Sequence, residues 1–143
     1  MIKYKIAIVA SKFNQEITNN LVSGAIATAE ENDFVELINE YYVPGAFELP
    51  GTISKILNGS KTYDAIIAFG CVIKGKTAHF EYISNSVSQG LINLSIRDSV
   101  TIPIMFGVLT TYTYEQALER SKTDGNKIMK STIDTIKLYE KID

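Results

Sequence analysis

Two short runs, Lys5-Ile-Ala-Ile-Val-Ala10 and Asp64-Ala-Ile-Ile-Ala-Phe69, are apolar at nearly every position. A strand with water on one face alternates apolar and polar side chains, whereas a run without alternation fits a strand covered on both faces. Strands of that kind belong to parallel sheets, whose crossover helices do the covering. The segments around the two runs agree. Asn14 can cap a helix with Glu16 in its first turn, and Ile17, Leu21, Ala25 and Ala29 then recur at every fourth position. Phe34 to Val43 reads as a second strand, ended by Pro44-Gly45. A short helix runs from Ala46 or Phe47 to Leu57, where Asn58-Gly59 stops it.

Phe80, Ile83, Val87, Leu91 and Leu94 mark a long helix with one apolar stripe. Thr101 to Val108 is the expected fourth strand, with Pro103 near its start. Helical patterns return at Tyr114 to Ser121 and, after Asp124-Gly125, continue through Ile128, Ile133 and Ile136. Alternating strands and helices imply right-handed crossovers. The expectation is a single domain over residues 1–143, a flavodoxin-like three-layer α/β/α sandwich with a four-stranded parallel sheet. With 45% hydrophobic residues in 143, the chain has the material for a core of this size. Ligands of such sheets bind beyond the carboxyl ends of the strands. That directs attention to Ser11–Asn14, Val43–Glu48, Gly70–His79 and Phe106–Tyr112.

Several function classes are disfavoured early. A net charge of −2 without runs of Lys or Arg gives no footprint for nucleic acid or an anionic membrane. The lone cysteine, Cys71, excludes an intramolecular disulfide, and with a lone histidine, His79, no Cys/His zinc set can be completed. The longest apolar run, Ala65 to Ile73, falls far short of the roughly 18 residues of a membrane span. Met1 to Phe13 intersperses Lys among its apolar residues and lacks the apolar core of a secretory signal, so a cytoplasmic location is expected.

Gly70-Cys-Val-Ile-Lys-Gly75-Lys76-Thr77 satisfies the phosphate-loop pattern G-x-x-x-x-G-K-[ST], between a strand and a helix. A nucleotide-binding function is therefore a competing reading. Against it, Cys71, Val72 and Ile73 are bulkier than a loop wrapped around a polyphosphate favours. The next strand does not end in a metal-holding Asp but in Leu109-Thr110-Thr111. One small domain also leaves little chain for an acceptor site. The turn before the helix still suits a single phosphate, with Lys76 and Thr77 as its candidates.

Taken together, the loop sequences resemble a known family. Ser11-Lys-Phe-Asn14, Val43-Pro-Gly-Ala-Phe-Glu-Leu-Pro50, Gly70-Cys-Val-Ile-Lys-Gly-Lys-Thr-Ala-His79, Pro103-Ile-Met-Phe-Gly-Val-Leu-Thr110 and Glu115-Gln-Ala-Leu-Glu-Arg120, then Gly125-Asn-Lys127, are similar to lumazine synthase signatures. They stand in the family's order along nearly the whole chain. Lys74 stands where the family usually has Arg, Ala78 where Pro is common, and Ile128 where Gly is common. The segment between Arg120 and Lys127 is also one residue shorter than usual. The resemblance implies condensation of 5-amino-6-ribitylaminouracil with 3,4-dihydroxy-2-butanone 4-phosphate, without metal or other cofactor. It further implies a homo-oligomer, a pentamer or a 60-subunit shell of pentamers, and riboflavin synthase as an associating partner. A riboflavin synthase of archaeal type, or a flavin- or lumazine-binding module, are the alternatives on the same fold.

Each candidate residue also has a plain structural reading. His79 alone would be a polar residue at a helix start; within the motif the resemblance implies proton transfer, and an imidazole titrates near neutral pH. Arg120 could pair with Glu115 or Glu119 or cap its helix, whereas the resemblance implies a grip on phosphate, shared with Lys127. Phe13 fits a core position, whereas by resemblance it is the ring stacked on the pyrimidine, with Asn14 beside it as a further substrate-binding candidate. Ala46, Phe47 and Glu48 start a helix, and by resemblance hold the ribityl chain. The resemblance also implies that Val72 and Ile73 form the wall whose backbone reads the pyrimidine edge. Phe106 fits the sheet core, but in the family it closes the site from a neighbouring subunit. Cys71 is expected to be inert.

Overall fold

The computed structural model describes residues 3–143, the Leu37 side chain excepted. Met1 and Ile2, part of the segment read as lacking a secretory signal, lie outside the described residues. Four strands form the sheet: β1 (Tyr4–Ser11), β2 (Val35–Val43), β3 (Ala65–Ile73) and β4 (Ile104–Thr111). Their order is β2-β1-β3-β4, and every pairing is parallel. Five helices connect or follow them: α1 (Gln15–Glu30), α2 (Leu49–Leu57), α3 (His79–Ser95), α4 (Tyr114–Ser121) and α5 (Asp124–Ile142). A single 3-10 turn, Ala46–Glu48, leads into α2. This is the expected α/β architecture, consistent with a flavodoxin-like fold.

The period of two in the central strands divides the core into two layers. Ile6, Ile8 and Ala10 of β1, with Ile67 and Phe69 of β3, pack on Ile17, Leu21 and Ala25 of α1 and Met129, Ile133 and Ile136 of α5. Ala7, Val9, Ile66 and Ala68 face the other way, onto Leu49 and Ile53 of α2 and Val87, Leu91 and Leu94 of α3. Both faces of β1 and β3 are therefore dry, which explains their unbroken apolar runs. At the strands' amino ends, the Tyr4 hydroxyl donates to Glu140 of α5 at 2.7 Å, and the Tyr4 ring stacks on Phe34. Lys137 of α5 lies 3.8 Å above the Phe34 ring.

The structure corrects several expected boundaries. β3 continues four residues past Phe69, because Gly70 to Ile73 pair with Val108 to Thr111 of β4. Gly70 is a strand-interior glycine whose added Cβ would lie 3.1 Å from Leu49 Cδ1 and 3.4 Å from Ala46 Cβ. Its missing side chain admits the start of α2 against the sheet. Half of the apparent phosphate loop is consequently strand, so Gly70–Thr77 does not wrap as a phosphate loop would. β4 spans Ile104–Thr111 rather than Thr101–Val108; Pro103 has no N–H to offer and only its carbonyl joins the ladder, accepting from Ile66. Asn14 precedes α1 but its side chain caps nothing there.

α5 begins at Asp124 and includes Gly125, which had read as a break between helices. A Cβ on Gly125 would sit 2.0 Å from the Leu21 carbonyl oxygen, so backbone-to-backbone approach of α1 and α5 requires glycine. Alanine ordinarily stabilises a helix interior relative to glycine. Here the sign reverses: Gly125→Ala forces the two helices apart and is expected to cost about 1–3 kcal/mol. A thermal melt should show the midpoint falling by several degrees; an unchanged or higher midpoint would mean that the helices separate freely.

Candidate functional site

The crossover direction reverses between β1 and β3: β2 was added on one side of β1, and β4 on the far side of β3. The loops leaving these strands diverge there and open a crevice at the carboxyl ends. The Lys12 N–H donates to the Val43 carbonyl at 2.8 Å and the Phe13 N–H to the Pro44 carbonyl at 3.1 Å, which extends the β1–β2 alignment into the loops. Pro44-Gly45 then turns the chain. Glu48 accepts the Gly45 N–H on one carboxylate oxygen at 2.8 Å, fixing the start of the 3-10 turn and of α2. Pro50, in the first turn of α2, has no N–H to leave unpaired.

A cavity of about 390 Å³ fills the crevice. Phe13 comes from the loop after β1, Pro44 to Glu48 from the connection after β2, Cys71 to Ile73 from β3, and His79 and Ile83 from α3. Phe13 and Phe47 are 70% and 59% exposed, so two aromatic rings stand open to the crevice instead of joining the core. His79 is exposed at the first position of α3. Lys76 and Thr77 occupy the exposed turn between Ile73 and His79, and the Thr77 hydroxyl accepts the His79 N–H at 3.4 Å. Tyr112 braces this turn from beyond β4, with Lys74 Nζ 5.5 Å from its ring and the Phe80 ring 6.3 Å away.

The remaining candidates lie elsewhere on the chain. Phe106, on the outer strand β4, is 48% exposed and shares an apolar groove with Ser88, Leu91, Ile92, Ser95 and Ile104. Its reading as sheet core therefore fails. Arg120, in the last turn of α4, reaches neither Glu115 nor Glu119; it faces Asp124 at 4.0 Å with its side chain 68% exposed. Glu119 pairs with Lys122 at 3.2 Å instead. Lys127 is exposed near the start of α5. Asn14 does not line the cavity; its Nδ2 donates to the Cys71 carbonyl at 3.2 Å. Ile83 was legible only as one position of a core stripe, and nothing in its spacing marked it as cavity wall.

Among the described residues no group of three or more His, Cys, Asp or Glu is placed to hold a metal ion, and no helix is long and apolar enough to cross a membrane. Burial pushes the Cys71 thiol up to about 11, with the neighbouring Asn14 amide pulling weakly the other way. A raised thiol pKa keeps the nucleophilic thiolate scarce at neutral pH. Ellman's reagent should accordingly label native Cys71 slowly near neutrality and at once in concentrated guanidinium. Prompt labelling of the folded protein would show an accessible thiolate.

The arrangement is a pocket with two exposed aromatic rings, one carboxylate and one imidazole, beside a turn that carries Lys74 and Lys76. The model of the 6,7-dimethyl-8-ribityllumazine synthase family matches residues 3–140 of the 143-residue chain. With that match running from the first strand into the last helix, the chain belongs to the 6,7-dimethyl-8-ribityllumazine synthase family, whose enzymes are of transferase type and serve riboflavin biosynthesis.

Proposed function

We propose that this chain condenses 5-amino-6-ribitylaminouracil with 3,4-dihydroxy-2-butanone 4-phosphate to 6,7-dimethyl-8-ribityllumazine, releasing phosphate and water. The observation that carries this reading is the convergence of Phe13, Glu48 and His79, from a loop, a 3-10 turn and the start of α3, on one cavity at the sheet's reversal point. An exposed Phe13 ring supports stacking on the pyrimidine. Ala46, Phe47 and Glu48 line the stretch after Pro44, where a carboxylate accepts hydrogen bonds from ribityl hydroxyls. Val72 and Ile73 would present backbone groups to the pyrimidine edge.

The reaction needs little from the protein beyond placement. The substrate's own amine attacks the ketone and loses water to form an imine. Phosphate then leaves, the enol tautomerises, and the second nitrogen closes the ring with loss of a second water. Holding the reactants together is worth much of the barrier in such a condensation. His79 moves the protons, and Lys76 and Thr77 help to hold the phosphate. Arg120 and Lys127 do not line the same cavity as His79, nor does Phe106. That separation supports a site shared between subunits of a pentamer, free or packed into a 60-subunit shell, in which a neighbour supplies Phe106 and Arg120.

Incubating purified protein with both substrates should give the lumazine product. Conversion of lumazine alone into a flavin would assign a riboflavin synthase instead, and binding of lumazine with both substrates left intact would assign a binding module. His79→Ala should keep substrate binding but slow turnover by about 10²-fold, the low end for positioned acid–base catalysis. Turnover equal to wild type around neutral pH would remove His79 from the mechanism.

Sharing of the site is tested by co-expressing His79→Ala with Arg120→Ala. Random mixing rebuilds an intact site at roughly a quarter of a ring's repeated interfaces, so mixed assemblies should exceed the mean activity of the two parents. Activity no higher than that mean would place each site within one chain.

A further inference from the structure

Asn14 is the one described residue other than glycine with a positive φ, at φ 60 and ψ 49. Asparagine tolerates this left-handed conformation better than most residues, and it is also a favoured helix cap. Its backbone does start α1, the carbonyl accepting the Ile17 N–H at 3.0 Å and the Thr18 N–H at 3.2 Å. The side chain, however, is turned away from the helix toward β3.

Its target there is a carbonyl that the sheet leaves over. β1 pairs with β3 only as far as Ala10 and Phe69, whereas β3 runs on to Ile73 along β4. The Ile66 N–H reaches the Pro103 carbonyl and the Lys74 N–H the Thr111 carbonyl, so even-numbered residues of β3 direct their backbone groups at β4. Odd-numbered ones face the other edge, where β1 is the partner only as far as Phe69. Cys71 is the first of them beyond the pairing, and Asn14 Nδ2 meets its carbonyl at 3.2 Å. An amide side chain thus replaces the next rung of the β1–β3 ladder, and the following residue on that edge, Ile73, lies against the cavity.

From this we infer that Asn14 is a positioning residue, acting through the Cys71 carbonyl to set the separation between the Phe13 ring and the Val72–Ile73 wall. Phe13 is its chain neighbour and Val72 follows its acceptor, so one hydrogen bond joins the two sides between which a flat ring would lie. Asn14 itself does not line the cavity. The inference rests on the proposed condensation only for the identity of that ring, the ribitylated pyrimidine.

Two variants separate the donor from the backbone conformation. Asn14→Gly keeps the left-handed turn without strain and removes the amide; Asn14→Asp keeps the shape and sets a carboxylate against the carbonyl. In the substrate-free protein, both should speed hydrogen exchange at the Lys74 amide, whose bond to Thr111 closes the end of β3, by about tenfold. In turnover, both should raise KM for the ribitylated pyrimidine by about five- to tenfold, the worth of one net hydrogen bond, with kcat and KM for the sugar phosphate within about twofold of wild type. A raised pyrimidine KM with unchanged Lys74 exchange would mean that Asn14 touches substrate directly, and would overturn the inference. Equal losses for both substrates would overturn it as well. Should the wild-type chain fail to condense the substrates, the proposed reaction falls, while the exchange measurement still decides whether Asn14 holds β3.

Discussion

The parallel pairing of β1 with β3 is the contact on which the rest of the molecule depends. Both strands are buried on both faces, so their backbone groups have no solvent to fall back on and must find partners in the sheet. Ile6, Ile8, Ile66 and Ile67, all fully buried, anchor both helical layers at once. The same pairing fixes where the chain reverses its direction of growth across the sheet. Once it stops at Ala10 and Phe69, the loops must part, and the cavity follows from that parting.

Close backbone approach sharpens this plan at two places, on opposite faces of the sheet. Gly70 admits Ala46 and Leu49 to the sheet, which puts the 3-10 turn and Glu48 at the crevice. Gly125 admits the Leu21 carbonyl and draws α5 onto α1. In each case a residue with no side chain decides how near a functional or covering helix comes. The helix that carries Arg120 is set differently. Thr113 accepts the Gln116 N–H at 3.1 Å while the Gln116 side chain returns to the Thr113 N–H, a reciprocal cap that starts α4 directly at the end of β4.

Much of this was legible in the sequence because burial writes itself as periodicity. The runs at Lys5–Ala10 and Asp64–Phe69 and the four-residue spacing from Ile17 to Ala29 fixed the strand and helix types. The departures fall where one residue type serves two purposes. Gly70 follows the apolar run that ends at Phe69 and Gly125 falls between two helical patterns, yet both sit inside regular elements because a neighbouring element needs their space. Pro103 falls within the strand expected from Thr101 to Val108, yet without an N–H it contributes only its carbonyl at the entrance of β4. Asn14 read as a cap, and its amide is spent across the crevice on Cys71. The loop motifs contain Phe13, Ala46 to Glu48, Val72, Ile73 and His79, which meet at one cavity, but Asn14, Lys76 and Thr77 of the same motifs do not line it and Ile83, which does, lies outside them. The contact between Arg120 and Asp124 has the four-residue spacing of a helical pair, yet it spans the break between α4 and α5.

The tie between Tyr4 and Glu140, with Lys137 over Phe34, bears on how such a chain is made. Synthesis runs from the amino end, so β1 leaves the ribosome long before α5. Until residues 129–136 have emerged, Ile6, Ile8 and Ile67 have α1 against them but lack α5, the second helix of their layer. The layer built from α2 and α3 is complete in the nascent chain first, and the opposite layer stays open to the last. A stalled or truncated product would thus carry a half-finished sheet with one sticky apolar face, which is the form chaperones and proteases recognise.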